Sequence, residues 1–149
     1  MITIRRLAQG DEAVLTGLAL EDEAFEVEGR GRPREPIGAA AAAEYLEDGH
    51  VVHWVAEADG AVIGHLLCYL QRRRADQPLQ LMLYEIGVDA AHRRQGVGRA
   101  LVAEMDRWMA DNGVTKVWVL ADEGDAEAFY RACGFSRDDR QPVQMSRRV

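Results

Sequence analysis

The chain has 149 residues, 48% of them apolar and 29% charged, with a formal net charge of −7. That length fits one compact domain over residues 1–149, and the apolar content excludes a disordered chain. The negative charge argues against a nucleic-acid binder, whose Lys and Arg must neutralise phosphates, and favours a cationic partner.

Residues 2–7 (ITIRRL) alternate apolar and polar and predict a first strand. Gly10-Asp11-Glu12 opens a helix to about Glu23, with Val14, Leu15, Leu18 and Ala19 on one face. Residues 26–36 are rich in Gly, Pro and charge and read as a loop. Residues 37–47 predict a second helix, closed by Asp48-Gly49. Residues 50–57 and 61–71 flank Ala58-Asp59-Gly60 and predict a hairpin with Gly in its turn. Residues 79–89 form a third long strand. Residues 98–112 are an amphipathic helix with the stripe Leu101, Val102, Met105, Trp108 and Met109, stopped by Asn112-Gly113. Residues 115–121 predict a strand, 125–133 a short helix stopped by Gly134, and 142–148 a last edge strand. The order β-α-α-β-β-β-α-β-α-β describes a mixed α/β sheet.

No run approaches the roughly 18 apolar residues of a membrane span, and MITIRRLAQGDE lacks a secretory apolar core, so a cytoplasmic protein without membrane contact is expected. Cys68 and Cys133 make no C-x-x-C pair and read as buried thiols. The four His show no helical ligand spacing, and no metal is expected.

The most informative stretch is Arg93-Arg94-Gln95-Gly96-Val97-Gly98-Arg99. It follows a strand and opens a long helix, where free backbone N–H groups and the helix dipole attract an anion such as a pyrophosphate. Glycine permits close approach to the backbone, and three arginines add positive charge. A tight turn with solvated arginines has the same composition. A dinucleotide-binding fingerprint fits less well, because its third glycine position is Leu101. A P-loop lacks its G-K-[ST].

Here the chain resembles the GCN5-related N-acetyltransferases, the GNAT superfamily. Arg93-x-x-Gly96-x-Gly98 matches their R/Q-x-x-G-x-G/A signature. Ala126-x-Ala128-Phe129-Tyr130-x-x-x-Gly134-Phe135 matches their closing helix and turn. The resemblance covers nearly the whole chain. It implies the GNAT fold and acetyl-CoA as cosubstrate. It also implies that backbone amides of Arg94, Gln95, Gly96, Val97, Gly98 and Arg99 hold the pyrophosphate, with Arg93 part of the same cofactor site. Ile86, Gly87 and Val88 would pair with the pantetheine arm, and Tyr130 would protonate the leaving thiolate. A packed aromatic beside Phe129 is the other reading of Tyr130. Many members carry Asn where this chain has Glu123, so that CoA contact is not carried over, and Glu123 is expected to turn toward substrate or solvent.

An acceptor amine must lose a proton, and Glu85 stands among apolar strand residues, where a carboxylate is costly unless used or paired. Burial favours its protonated form, which suits a base. An exposed strand position or a sheet bulge would also accommodate it. Two acidic clusters follow. One is Glu21, Asp22, Glu23, Glu26 and Glu28; the other is Asp122, Glu123, Asp125 and Glu127. Glu26, Asp122, Glu123 and Asp125 are the candidate substrate contacts, and a solvated acidic surface is their plainer explanation.

Tyr84-Glu85-Ile86-Gly87-Val88, His92-Arg93-Arg94-Gln95-Gly96 and Ala121-Asp122-x-Gly124-Asp125 resemble the aminoglycoside 3-N-acetyltransferases. Those carry Y-D-L-A-V, E-H-R-R-Q-G-I and A-D-x-G-D. Glu85 replaces their Asp, and the segment from A-D-x-G-D to Tyr130 is about two residues shorter. The resemblance implies a polycationic acceptor, an aminoglycoside acetylated at its 3-amino group in antibiotic resistance, and a homodimer. A polyamine or protein amine as acceptor, or a non-catalytic acyl-CoA-binding module, are the alternatives.

Overall fold

A computed structural model describes residues 1–21, 35–74, 76, 78–122 and 124–149. Its elements, in chain order, are β1 (Thr3–Arg6), α1 (Glu12–Leu20), α2 (Ala39–Glu47), β2 (Val51–Ala58), β3 (Ala61–Arg72), β4 (Leu79–Val88), α3 (Val97–Asp111), β5 (Val117–Val119) and α4 (Gly124–Ala132). They form one mixed sheet in the order β1-β2-β3-β4-β5. The first four strands are antiparallel, and β5 joins β4 in parallel. The α/β class and the order of the first nine elements follow the sequence expectation.

Local chemistry accounts for the boundaries. The β2–β3 turn places Asp59 (φ 52°) and Gly60 (φ 79°) in the left-handed region, as a two-residue hairpin loop requires. Helix α3 ends on Asn112 with Gly113 at φ 67°, the left-handed residue that stops a helix.

The sheet separates two apolar layers. The larger packs Leu101, Val102, Met105 and Met109 of α3 against Val52, Trp54, Leu66, Cys68, Leu81 and Leu83 of the strands. The smaller joins Leu18 of α1 to Leu7 and Val55 on the opposite face. Cys68 is buried and Cys133 half-buried, and both are free thiols.

Two departures from the sequence reading bear on the site. Residues 142–148, expected as an edge strand, have no regular structure. Val143 and Met145 are exposed there, and nothing in this chain's own sheet pairs with them. The strand expected over residues 115–121 spans only Val117–Val119. It pairs with β4 at Leu81, Met82 and Leu83 and stops where β4 is interrupted.

That interruption is a bulge. Leu67 faces Glu85 and Cys68 faces Leu83, so Tyr84 is an extra residue on β4. A bulge bends its strand and sharpens the twist, which carries β4 away from β5. It also changes which face each side chain takes. Leu79, Leu81 and Leu83 pack on the α3 layer before it, and Ile86 and Val88 after it. Glu85 is thereby turned to the α1 face instead of into the main core.

Candidate active site

Loop 93–99 is a constructed turn. The Arg93 Nε donates to the Val88 carbonyl at 3.0 Å, and the Gln95 side-chain amide donates to the Ala91 carbonyl at 3.0 Å. His92 meets Asp89 at 2.7 Å and holds that carboxyl below its ordinary range. Arg94 (φ 64°) and Gly96 (φ 86°) are both left-handed. Gly96 is the residue before α3, and no side chain caps that helix. Its first amides therefore have no acceptor within the helix. Arg94, Gln95, Gly96 and Arg99 are exposed, while the Val97 side chain is buried, so Val97 offers a ligand only its backbone. This is a fit for a pyrophosphate: exposed residues at an uncapped, positive helix end and flanking arginines. Gly98 has a different task. A Cβ there would stand 3.1 Å from the Phe129 ring, so glycine lets α4 close onto α3.

Beyond the bulge, Ile86, Gly87 and Val88 pair with Leu66, His65 and Gly64 of β3, and β5 no longer follows on the other side. An edge of this kind presents backbone groups to an extended ligand.

Glu85 faces a chamber of about 190 Å³ lined by Leu15, Leu18, Ile37, Tyr45, His53, His65 and the carboxylates Glu35 and Glu85. A row of polar side chains crosses its floor. His65 Nε2 lies 3.3 Å from Glu85 Oε1. His65 Nδ1 lies 3.2 Å from His53 Nε2, and His53 Nδ1 lies 2.9 Å from the Tyr45 hydroxyl. Burial lowers His65 to about 4, and burial followed by the charge of His65 lowers His53 to about 3. Both rings are neutral near pH 7.

This has a stability consequence. The unfolded chain binds protons at His near pH 6.5 and the folded chain does not, so stability is lost as pH falls below that value. By pH 4 the loss is on the order of 3 kcal/mol per histidine. Thermal unfolding followed by circular dichroism should show Tm falling steeply between pH 6.5 and 4, and less steeply in His53→Leu.

Tyr130 sits in α4 with Phe129 and Phe135 ring centroids each 5.4 Å away. Burial, assisted by the charge of Asp122, pushes its hydroxyl up to about 12. It opens on a groove of about 660 Å³ between β5 and the C-terminal tail, shared with Asp122 and Glu127. Glu85 and Tyr130 thus line different cavities, and neither cavity is lined by loop 93–99.

The acidic clusters divide. Glu127 is bound by Arg131 at 3.1 Å and Arg137 at 2.5 Å, which hold it below its ordinary range. It belongs to an ion-pair network and not to an open acidic surface. Asp122 and Asp125 are exposed, and only Asp122 acts on Tyr130. Glu26 and Glu123 lie outside the described residues, as do Asp22, Glu23 and Glu28. Among the described residues no group of three His, Cys, Asp or Glu is arranged to hold a metal, and no helix is long and apolar enough to cross a membrane.

Tyr45, His53 and His65 had no place in the sequence reading of the site. A signal existed: His53 and His65 are the polar members of two apolar strands, and the hairpin register puts them diagonally on one face.

A family profile described as the acetyltransferase (GNAT) family matches residues 17–135. N-acetyltransferase family 8 member 2 of Rattus norvegicus is 28% identical over 102 residues, which cover 67% of this chain and 45% of that protein. N-alpha-acetyltransferase RimI of Mycobacterium tuberculosis is 34% identical over 86 residues, covering 57% and 52%. This chain therefore spans about half the length of the curated relatives it matches. A crystal structure of an aminoglycoside acetyltransferase from an uncultured soil metagenomic sample, in complex with sisomicin, superposes with a TM-score of 0.86. It is 21% identical, with 99% of this chain and 96% of that one covered.

Proposed function

The chain belongs to the GNAT acetyltransferase family, and on that premise we propose that it moves an acetyl group from acetyl-CoA to an amine of a cationic small molecule. The preferred acceptor is the 3-amino group of an aminoglycoside. The observation that carries this reading is Glu85, turned by the β4 bulge into a chamber it shares with Glu35. Two carboxylates in one chamber attract an ammonium group. The chamber is smaller than the roughly 300–1,000 Å³ of drug-sized pockets, so it takes the reacting amine and its ring while the rest of the molecule stays outside.

In this reading the amides from Arg94 to Arg99 bind the CoA pyrophosphate, with Arg93 bracing the turn. Ile86, Gly87 and Val88 hold the pantetheine arm along the edge of β4. Bound acetyl-CoA supplies the activated acetyl group. Glu85 accepts the proton of the attacking amine at its carboxylate. Tyr130 keeps its proton throughout the neutral range and offers it to the departing sulfur. An ordinary thiol has a pKa of about 8.5, well below that of the buried phenol, so the Tyr130 hydroxyl keeps its proton and serves as a hydrogen-bond donor to the departing thiolate, which takes its proton from solvent as it leaves. Asp122 and Asp125, with Glu26 and Glu123, supply negative charge toward a polycation.

The relative RimI favours a second acceptor, a protein amino terminus. Turnover with acetyl-CoA and a panel of gentamicin, spermidine and alanine-terminated peptides separates the readings. Gentamicin should be consumed fastest, with the new acetamide on the 3-amino nitrogen by NMR. Peptide turnover without aminoglycoside turnover would move the chain to the second acceptor.

A homodimer belongs to the same reading. The outer edge of β5, the groove beside it and the exposed Val143 and Met145 give a second copy a place to pack. Light scattering should give twice the 16.6 kDa chain mass, and deletion of residues 142–149 should lower it.

A further inference from the structure

We propose that His65, His53 and Tyr45 are positioning residues for Glu85: a hydrogen-bonded chain that aims its carboxylate into the chamber and steadies its ionised form. The inference rests on Glu85 being the base, and it adds the groups that govern that base.

The donor arrangement follows from one condition. An ionised carboxylate only accepts hydrogen bonds, so His65 Nε2 must carry the proton that meets Glu85. A neutral imidazole has one N–H, so His65 Nδ1 is then a bare acceptor. His53 Nε2, 3.2 Å away, must donate to it. His53 Nδ1 is bare in turn, and the Tyr45 hydroxyl at 2.9 Å must donate to it. Each group has its partner, and every donor points toward Glu85. Such chains polarise one another in a low-dielectric interior.

Packing fixes the row in place. His53 and His65 are 5% and 4% exposed, the first between Val52 and Trp54 along β2 and the second between Gly64 and Leu66 along β3. The ring centroids of His53 and His65 are 5.4 Å apart, and those of Tyr45 and His53 are 6.0 Å apart, edge to face. Apolar residues at these two positions would extend the α1-side layer without the acid sensitivity derived above. The polar chain is therefore costly as structure; its two histidines are buried, and its ends, Tyr45 and Glu85, are half-buried at the chamber.

Among the described residues, other titratable groups also stand near Glu85. Glu35 lines the chamber from the segment before α2. Tyr69 on β3 is raised by burial, then by Tyr84 and Glu85. Helix α1 contributes only Leu15, Leu18 and Ala19. His65 is thus the hydrogen-bond donor that the structure sets against Glu85 Oε1.

Two measurements test the chain. In ¹⁵N NMR of the full protein at neutral pH, His53 and His65 should both be neutral with the proton on Nε2. A proton on Nδ1 of either ring would overturn the proposed order. In pH profiles of kcat/KM, His65→Leu removes a donor to the carboxylate and raises its proton affinity. The acid limb should move up by about half to one pH unit, with kcat reduced and the KM for acetyl-CoA unmoved. His53→Leu and Tyr45→Phe should move it the same way by less. His65→Gln, which restores an N–H donor, should recover part of the loss, and His50→Ala, outside the chain, should change nothing. Unmoved limbs in His65→Leu and Tyr45→Phe, with Glu85→Gln inactive, would overturn the chain and leave the base in place. Full turnover in Glu85→Gln would overturn both, and the NMR result would then describe a purely structural row.

Discussion

Glu85→Gln lowers kcat/KM with acetyl-CoA and gentamicin by about 10²–10⁴-fold, the range associated with loss of a positioned general base. Gln keeps the length of the side chain, and its carbonyl can still accept from His65 Nε2, so the chamber retains its shape. It loses only the capacity to take a proton. Loop 93–99 does not line the chamber that Glu85 faces, so affinity for CoA is expected to hold. Steady-state kinetics with a parallel CoA titration read the two quantities separately. Wild-type turnover in Glu85→Gln would remove the proposed base.

Tyr130→Phe lowers kcat by about 10²–10³-fold, the size seen when a single hydrogen-bond donor to a developing anion is lost. Phe keeps the ring between Phe129 and Phe135, so the fold tolerates the change. The pH dependence adds a second check. The protonated hydroxyl is the working form, and it is lost only as pH rises through about 12. Tyr130 therefore imposes no basic limb near neutrality, and Tyr130→Phe lowers the whole profile without displacing either limb. A basic limb that vanishes in Tyr130→Phe would show that the hydroxyl titrates far below that value.

Much of the architecture could be read from periodicity. The hairpin turn between β2 and β3, the stripe of α3 and the Asn112-Gly113 stop each reflect one local rule, and each appears in place. The turn at residues 93–99 was legible for the same reason: glycines, arginines and a helix start are local. The bulge was less so, although it left a trace. The leucines of β4 are odd-numbered, at 79, 81 and 83, while Ile86 and Val88 are even-numbered, and that switch of parity is the extra residue at Tyr84. Reading residues 79–89 as one regular strand hides which face Glu85 takes.

Non-local features were the ones missed. An alternating tail over residues 142–148 looks like a strand, but alternation alone does not decide pairing, and the tail leaves the outer edge of β5 unpaired in this chain. Glu127 looked like part of an open acidic surface because Arg131 and Arg137 meet it only after α4 and its following turn have formed. The row from Tyr45 to Glu85 draws on α2, β2, β3 and β4, and no single stretch of sequence contains it.

Glu85 and Tyr130 open on different cavities, and acetyl-CoA held on loop 93–99 is proposed to join them by passing its thioester through the gap where β4 leaves β5. A crystal structure with CoA and gentamicin bound tests this directly. The account predicts the pyrophosphate on the amides of residues 94–99, the sulfur beside the Tyr130 hydroxyl and the 3-amino nitrogen facing Glu85. Gentamicin bound away from Glu85, or a pyrophosphate held elsewhere, would contradict it.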